Sequence, residues 1–150
     1  MRKNKEKIMI IHTKFDEELE IKETDVISFN TGIPGFEEER EFVLLPIEDT
    51  AFSLLQSLNT KELGFFTADP FVFYPEYDFD LSVSEAEKLE INEPKDVLVQ
   101  AILTAADPFQ HSTINLQAPL IINLKNQNGK QVVLTNTPYT TRQSITKEEV

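Results

Sequence analysis

Leu120-Ile121-Ile122-Asn123-Leu124, then Asn128-Gly129, then Gln131-Val132-Val133-Leu134-Thr135, is the stretch that decides the fold class. Two short apolar, β-branched runs flank a dipeptide whose residues both tolerate positive φ. A type I′ turn requires that backbone, and its twist matches that of two paired strands. The stretch therefore reads as an antiparallel hairpin turning at Asn128-Gly129.

The same pattern recurs outward from it. Phe42-Val43-Leu44-Leu45 is continuous, as in a strand buried on both faces, and Pro46 ends it. Phe52 to Leu58 and Leu63 to Thr67 form a second hairpin around Asn59-Thr60-Lys61-Glu62. Lys7 to Thr13 and the alternating Leu19-Glu20-Ile21 form a third around Asp16-Glu17-Glu18. Val26 to Phe29 and Ser112 to Leu116 are further strands. Asp96 to Ala106 fits strand or helix; Val97, Val99 and Leu103 favour strand, and Asp107-Pro108 closes it. Asp78-Phe79-Asp80-Leu81 alternates as a strand does, with its acids on a solvent-facing edge. Glu37 to Glu41 reads as one helical turn. A real helix is predicted from Val83 to Glu90, where Ser82 and Ser84 each precede a glutamate by three residues in the capping-box spacing. Many short runs at this spacing predict an all-β, mainly antiparallel fold. The expectation is one small β-barrel-like domain over residues 1–150 with one short helix. The basic residues 1–7 and the polar residues 140–150 are expected to be flexible ends.

Composition narrows function by exclusion. The net charge is −12, from 26 acidic and 14 basic residues. Such a surface opposes direct contact with nucleic acid, whose affinity comes largely from Lys and Arg neutralising phosphates. It opposes an anionic membrane for the same reason. A basic protein is the electrostatic complement, although plain solubility also explains an acidic chain. No apolar run approaches the roughly 20 residues that span a bilayer, and Ile8 to Ile11 is too short for a signal-peptide core. A cytoplasmic protein is expected. The absence of cysteine excludes disulfides, thiolate metal sites and Cys nucleophiles.

No catalytic constellation emerges. His12 and His111 are too few for a three-histidine zinc site. H-E-x-x-H, G-x-S-x-G, P-loop and G-x-G-x-x-G spacings are all missing. No cofactor and no metal are expected. Carboxylates gather from Glu76 to Asp96, without the spacing of a calcium loop. They read as a solvated face or as a patch for a basic partner. The aromatic run from Phe65 to Tyr77 lacks the basic groove of a base-stacking platform. Phe65 or Phe66, and Phe71 or Phe73, suit the core, whereas Tyr74 and Tyr77 beside Pro75 suit an interface.

Phe29-Asn30-Thr31-Gly32-Ile33-Pro34-Gly35-Phe36 is a loop by its glycines and proline, yet it carries large apolar side chains. It either tucks onto its own core or offers a sticky surface. Phe36 is expected to fold back. Ile33 is a candidate interface residue: if the loop is an interface, Ile33→Asp leaves folding nearly intact and weakens a partner, and if it unfolds the protein the loop is core. This loop running into Phe42-Val43-Leu44-Leu45-Pro46, with Asn115-Leu116-Gln117-Ala118-Pro119-Leu120-Ile121-Ile122-Asn123 and Gly129-Lys130-Gln131-Val132-Val133-Leu134, resembles the bacterial flagellar assembly factor FliW family. The likeness extends from Ile8 to Tyr139. It implies a small cytoplasmic β-barrel without catalytic activity. It also implies two protein partners: flagellin, held before export, and CsrA, a basic RNA-binding repressor of flagellin synthesis. Free of flagellin, such a protein would antagonise CsrA and couple flagellin translation to export. Candidate partner-binding residues are Ile33, Pro34 and Phe36; Tyr74, Glu76, Tyr77, Asp78 and Asp80; and Asn115, Leu116 and Gln117. For the last group the residues also allow a plain kinked connection, because Pro119 cannot donate to a ladder and biases Ala118 to extended backbone. Two other classes remain open on residues alone: a carboxylate hydrolase using Glu76, Asp78 and Asp80, and a structural oligomerisation domain.

Overall fold

A computed structural model describes residues 7–146; residues 1–6 of the expected basic extension and 147–150 of the expected tail lie outside them. Seven strands close into a barrel: β3 (Val26–Phe29), β4 (Glu41–Pro46), β5 (Phe52–Ser57), β6 (Gly64–Ala68), β7 (Val97–Thr104), β9 (Leu120–Asn123) and β10 (Asn128–Gln131). Neighbours pair in the order β7-β6-β5-β4-β3-β10-β9, and β9 returns to β7 with Val99 opposite Ile121. Each of these pairings is antiparallel except β10 with β3. Closure leaves the barrel itself no open sheet edge. β1 (Ile8–His12) and β2 (Glu18–Lys22) form a separate hairpin, and the short β8 (Thr113–Ile114) and β11 (Gln143–Ser144) branch from the end of β7.

Alternation of side chains across β4 explains the apolar run 42–45. Phe42 points into the barrel with Phe29, Ile27, Leu55, Leu120 and Ile122. Its neighbour Val43 points outward, beneath Ile11 and Ile21 of the β1–β2 hairpin. A third apolar layer covers the outer face of β7 and β9, where Ala101, Leu103 and Ile121 meet Tyr77, Leu89, Leu116 and Leu134. A strand covered on both faces has no polar positions to alternate.

The hairpin of the deciding stretch exists, but its turn lies earlier. Asn128 pairs with Asn123 and Gly129 with Ile122, so both belong to β10. The chain reverses through residues 124–127, with Gln127 taking the left-handed backbone at φ 58°. Gly129 serves packing: a Cβ there would lie 3.0 Å from the Phe29 ring. The return strand ends at Gln131 rather than Thr135, and the strand expected over 112–116 shortens to two residues.

Four further expectations are corrected. Glu37 to Glu41 holds a turn and the start of β4, not a helical turn. Residues 78–81 are irregular, because Tyr77 and Phe79 insert into the outer layer instead of pairing in a sheet. A second helix, α1 (Pro70–Phe73), precedes the expected one, α2 (Val83–Lys88). Its signal was present: Asp69 accepts from the Phe71 amide as N-cap, and Pro70 occupies the first helical position. Residues 140–146, expected to be frayed, are docked. Gln143 pairs with Ile114, and the Tyr74 hydroxyl donates to the Ser144 carbonyl at 2.5 Å.

Candidate functional site

The loop from Phe29 to Phe36 is wound by two positive-φ glycines, Gly32 at 71° and Gly35 at 88°. The Phe36 amide donates to the Ile33 carbonyl at 2.6 Å, with Pro34 and Gly35 between them. Pro at the second position and a positive-φ Gly at the third is the type II turn arrangement. Glu37 completes it by accepting from the Gly35 amide at 3.1 Å, and that bond holds its carboxyl below the ordinary pKa. At Gly32 a Cβ would lie 2.5 Å from the Glu37 carbonyl oxygen.

This geometry buries the residue expected at an interface, while Phe36 folds back only as far as the barrel's rim. Ile33 is only 2% exposed and packs into the barrel beside Phe29 and Phe42. Phe36 stays 42% exposed, its ring edge-on to Phe65 at 5.3 Å. The two residues face each other across an antiparallel bridge, with Ile33 filling the barrel interior and Phe36 lying on Phe65 at its rim. Pro34 is exposed beside Phe36. The exposed residues of this turn are therefore Pro34 and Phe36, with Ile33 as their anchor.

The second and third groups of candidate residues meet each other. The Tyr77 hydroxyl donates to the Leu116 carbonyl at 2.7 Å, and both residues are buried. Burial raises the Tyr77 phenol far above its ordinary pKa, with Tyr139 adding to it, so the hydroxyl remains a donor. Tyr139 stacks edge-on against Tyr77 at 4.7 Å and accepts from the Asp78 amide. Asn115 closes a local turn, its Oδ1 accepting from the Gln117 and Ala118 amides at 3.1 and 2.9 Å. The Thr140 carbonyl accepts from the Leu116 and Gln117 amides. The segment Asn115 to Pro119 is thus a kinked connection between β8 and β9, and Tyr77 and Leu116 form its interior. Glu76, Asp78 and Asp80 are exposed, and Tyr74, Asn115 and Gln117 are half-buried. The Ile33 loop packs into a different apolar cluster.

Among the described residues no three His, Asp or Glu side chains gather as metal ligands, and no helix is long and apolar enough to cross a membrane. The concavity of note is an apolar groove of about 480 Å³ between the helical segments and the outer face of β7 and β9. Its floor residues Val97 and Val99 read as core in a strand pattern. The only sequence signal that could separate them is the acidic, proline-marked segment facing them.

The family model for the FliW protein matches residues 9–145. The chain belongs to the FliW family. Among its relatives, the flagellar assembly factor FliW of Geobacillus thermodenitrificans is 50% identical over 142 residues, covering 95% of this chain and 99% of the relative. That of Bacillus subtilis is 51% identical over 138 residues, covering 91% and 96%. A solved crystal structure of the flagellar assembly factor FliW superposes with a TM-score of 0.89 at 47% identity, covering 95% of this chain and all of that one. The barrel with its outer layers is therefore the FliW fold.

Proposed function

We propose that this chain is a flagellar assembly factor that works by binding proteins and catalyses no reaction. The reading rests on one observation: relatives named flagellar assembly factor FliW match it at about half identity over 95% of its length. In this reading it acts in the cytoplasm and holds flagellin before export. When flagellin leaves, the freed protein binds the repressor CsrA and relieves translation of flagellin. The charge of −12 supports a cationic partner such as an RNA-binding repressor, through faster association and rejection of acidic competitors. No cofactor takes part.

Co-purification with CsrA and, separately, with flagellin tests the proposal. Each is expected to bind at micromolar concentration or tighter, and added flagellin is expected to displace CsrA. Absence of binding to both proteins overturns it. Association with CsrA is also expected to slow as salt rises from 50 to 500 mM, on the order of the screening of charges beyond a Debye length; a salt-independent on-rate would remove the electrostatic part.

A further inference from the structure

The layer that covers the outer face of β7 and β9 does not close. Val97 and Val99 of β7 and Ile121 of β9 form the floor of the resulting groove, and Phe79, Leu81 and Ile91 form its walls. Except for Ile121, each of these six side chains is only half-buried. Phe71, 42% exposed, stands at the mouth. Single exposed apolar side chains are ordinary on a protein surface, but several converging on one concavity mark a place for another molecule. The charged side chains lining the groove are Asp80 and Glu93. Glu76, Asp78, Glu87 and Glu90 are further exposed acids on the segments of this covering layer. Of the cations on or against this layer, Lys95 lies 3.6 Å from Glu93, Lys125 3.9 Å from Asp96 and Lys130 2.6 Å from Glu85, and Lys88 is exposed on α2.

We propose that this groove docks a cationic, apolar-tipped segment of a protein partner. Large aliphatic or aromatic side chains of the partner fill the gap over Val97, Val99 and Ile121. A Lys or Arg beside them meets Asp80 or Glu93. The acidic mouth repels the phosphates of an anionic membrane or a nucleic acid, which leaves a protein as the occupant. The inference rests on the protein-binding function proposed above and adds the surface that performs it.

Two variants test it, each checked for folding by circular dichroism and urea unfolding. Ala86, half-buried on α2, lines the groove, so Ala86→Trp fills it. The double variant Asp80→Lys with Glu93→Lys reverses the charge at the mouth through two exposed positions. Binding of purified CsrA and of flagellin is measured by titration calorimetry. Methyl NMR of the wild-type chain follows Leu81, Ile91, Val97, Val99 and Ile121. The expected result is at least a tenfold loss of affinity for one of the two proteins in both variants, with that protein shifting the groove methyls. Wild-type affinity for both proteins in the folded variants, or shifts confined to another face, overturns the groove and leaves the functional reading standing. A wild-type chain that binds neither protein overturns the functional reading and the groove's occupant with it.

Discussion

Ile33→Asp separates a core role from an interface role at the loop that first marked this family. Ile33 is 2% exposed, against Phe29 and Phe42 that are fully buried. Removing its burial costs about 1.5–3 kcal/mol. An ionised carboxylate left there without a cation adds several kcal/mol more, on the order of the penalty for an unpaired buried ion. The sum approaches the whole stability of a typical domain, about 5–15 kcal/mol. The turn bond from the Phe36 amide uses the Ile33 backbone and survives, so the loss is one of packing and charge. Urea unfolding should show a midpoint far below that of Ile33→Ala, whose cost is about 2–5 kcal/mol. The sign with pH follows from linkage. The introduced carboxyl has a folded pKa above its unfolded value of about 3.9, so the variant is less destabilised near pH 4 and worsens as pH rises. A variant with the wild-type midpoint at pH 8 would refute the burial of this side chain and restore Ile33 to the surface.

Gly32→Ala should destabilise far more than Gly35→Ala, because its Cβ meets the Glu37 backbone at 2.5 Å whereas nothing lies within 4 Å at Gly35. The second change should cost about 1–2 kcal/mol for left-handed backbone alone, and equal urea midpoints would contradict this. Tyr77→Phe strips the Leu116 carbonyl of its buried donor and should cost about 1–3 kcal/mol by the same assay. Because folding raises the Tyr77 phenol pKa, its contribution is whole below pH 10 and declines above it; the alkaline loss of stability should be shallower in Tyr77→Phe. Glu39 accepts from the Ser57 hydroxyl at 2.5 Å and the Thr60 hydroxyl at 2.7 Å, which lowers its pKa, Ser57 contributing most. Its stabilisation is present above its ordinary pKa and is lost on acidification, so Glu39→Gln should flatten the fall in urea midpoint between pH 6 and pH 3.

Period-two alternation and turn residues were enough to read an all-β, mainly antiparallel fold, because each strand's pattern is local. The run 42–45 even announced a strand covered on both sides. Helix α2 was legible from Ser82, whose hydroxyl does accept from the Glu85 amide at 3.1 Å. The residue motifs also sufficed for the family, since Gly32, Pro34 and Gly35 answer to backbone geometry that few residues provide. Which side chains face a partner was not legible. Gly129 looked like a turn glycine, yet its reason for being glycine is the Phe29 ring, 100 positions earlier in the chain. Ile33 and Phe36 are alike in composition, and only the closed barrel decides which one finds an interior. Asp78 to Leu81 alternated like a strand but had no neighbour to pair with, so Phe79 and Leu81 became walls of a groove instead. Local sequence sets backbone preference and the alternation of side chains. Burial is a property of what the rest of the chain brings alongside, and closure of the barrel decided it.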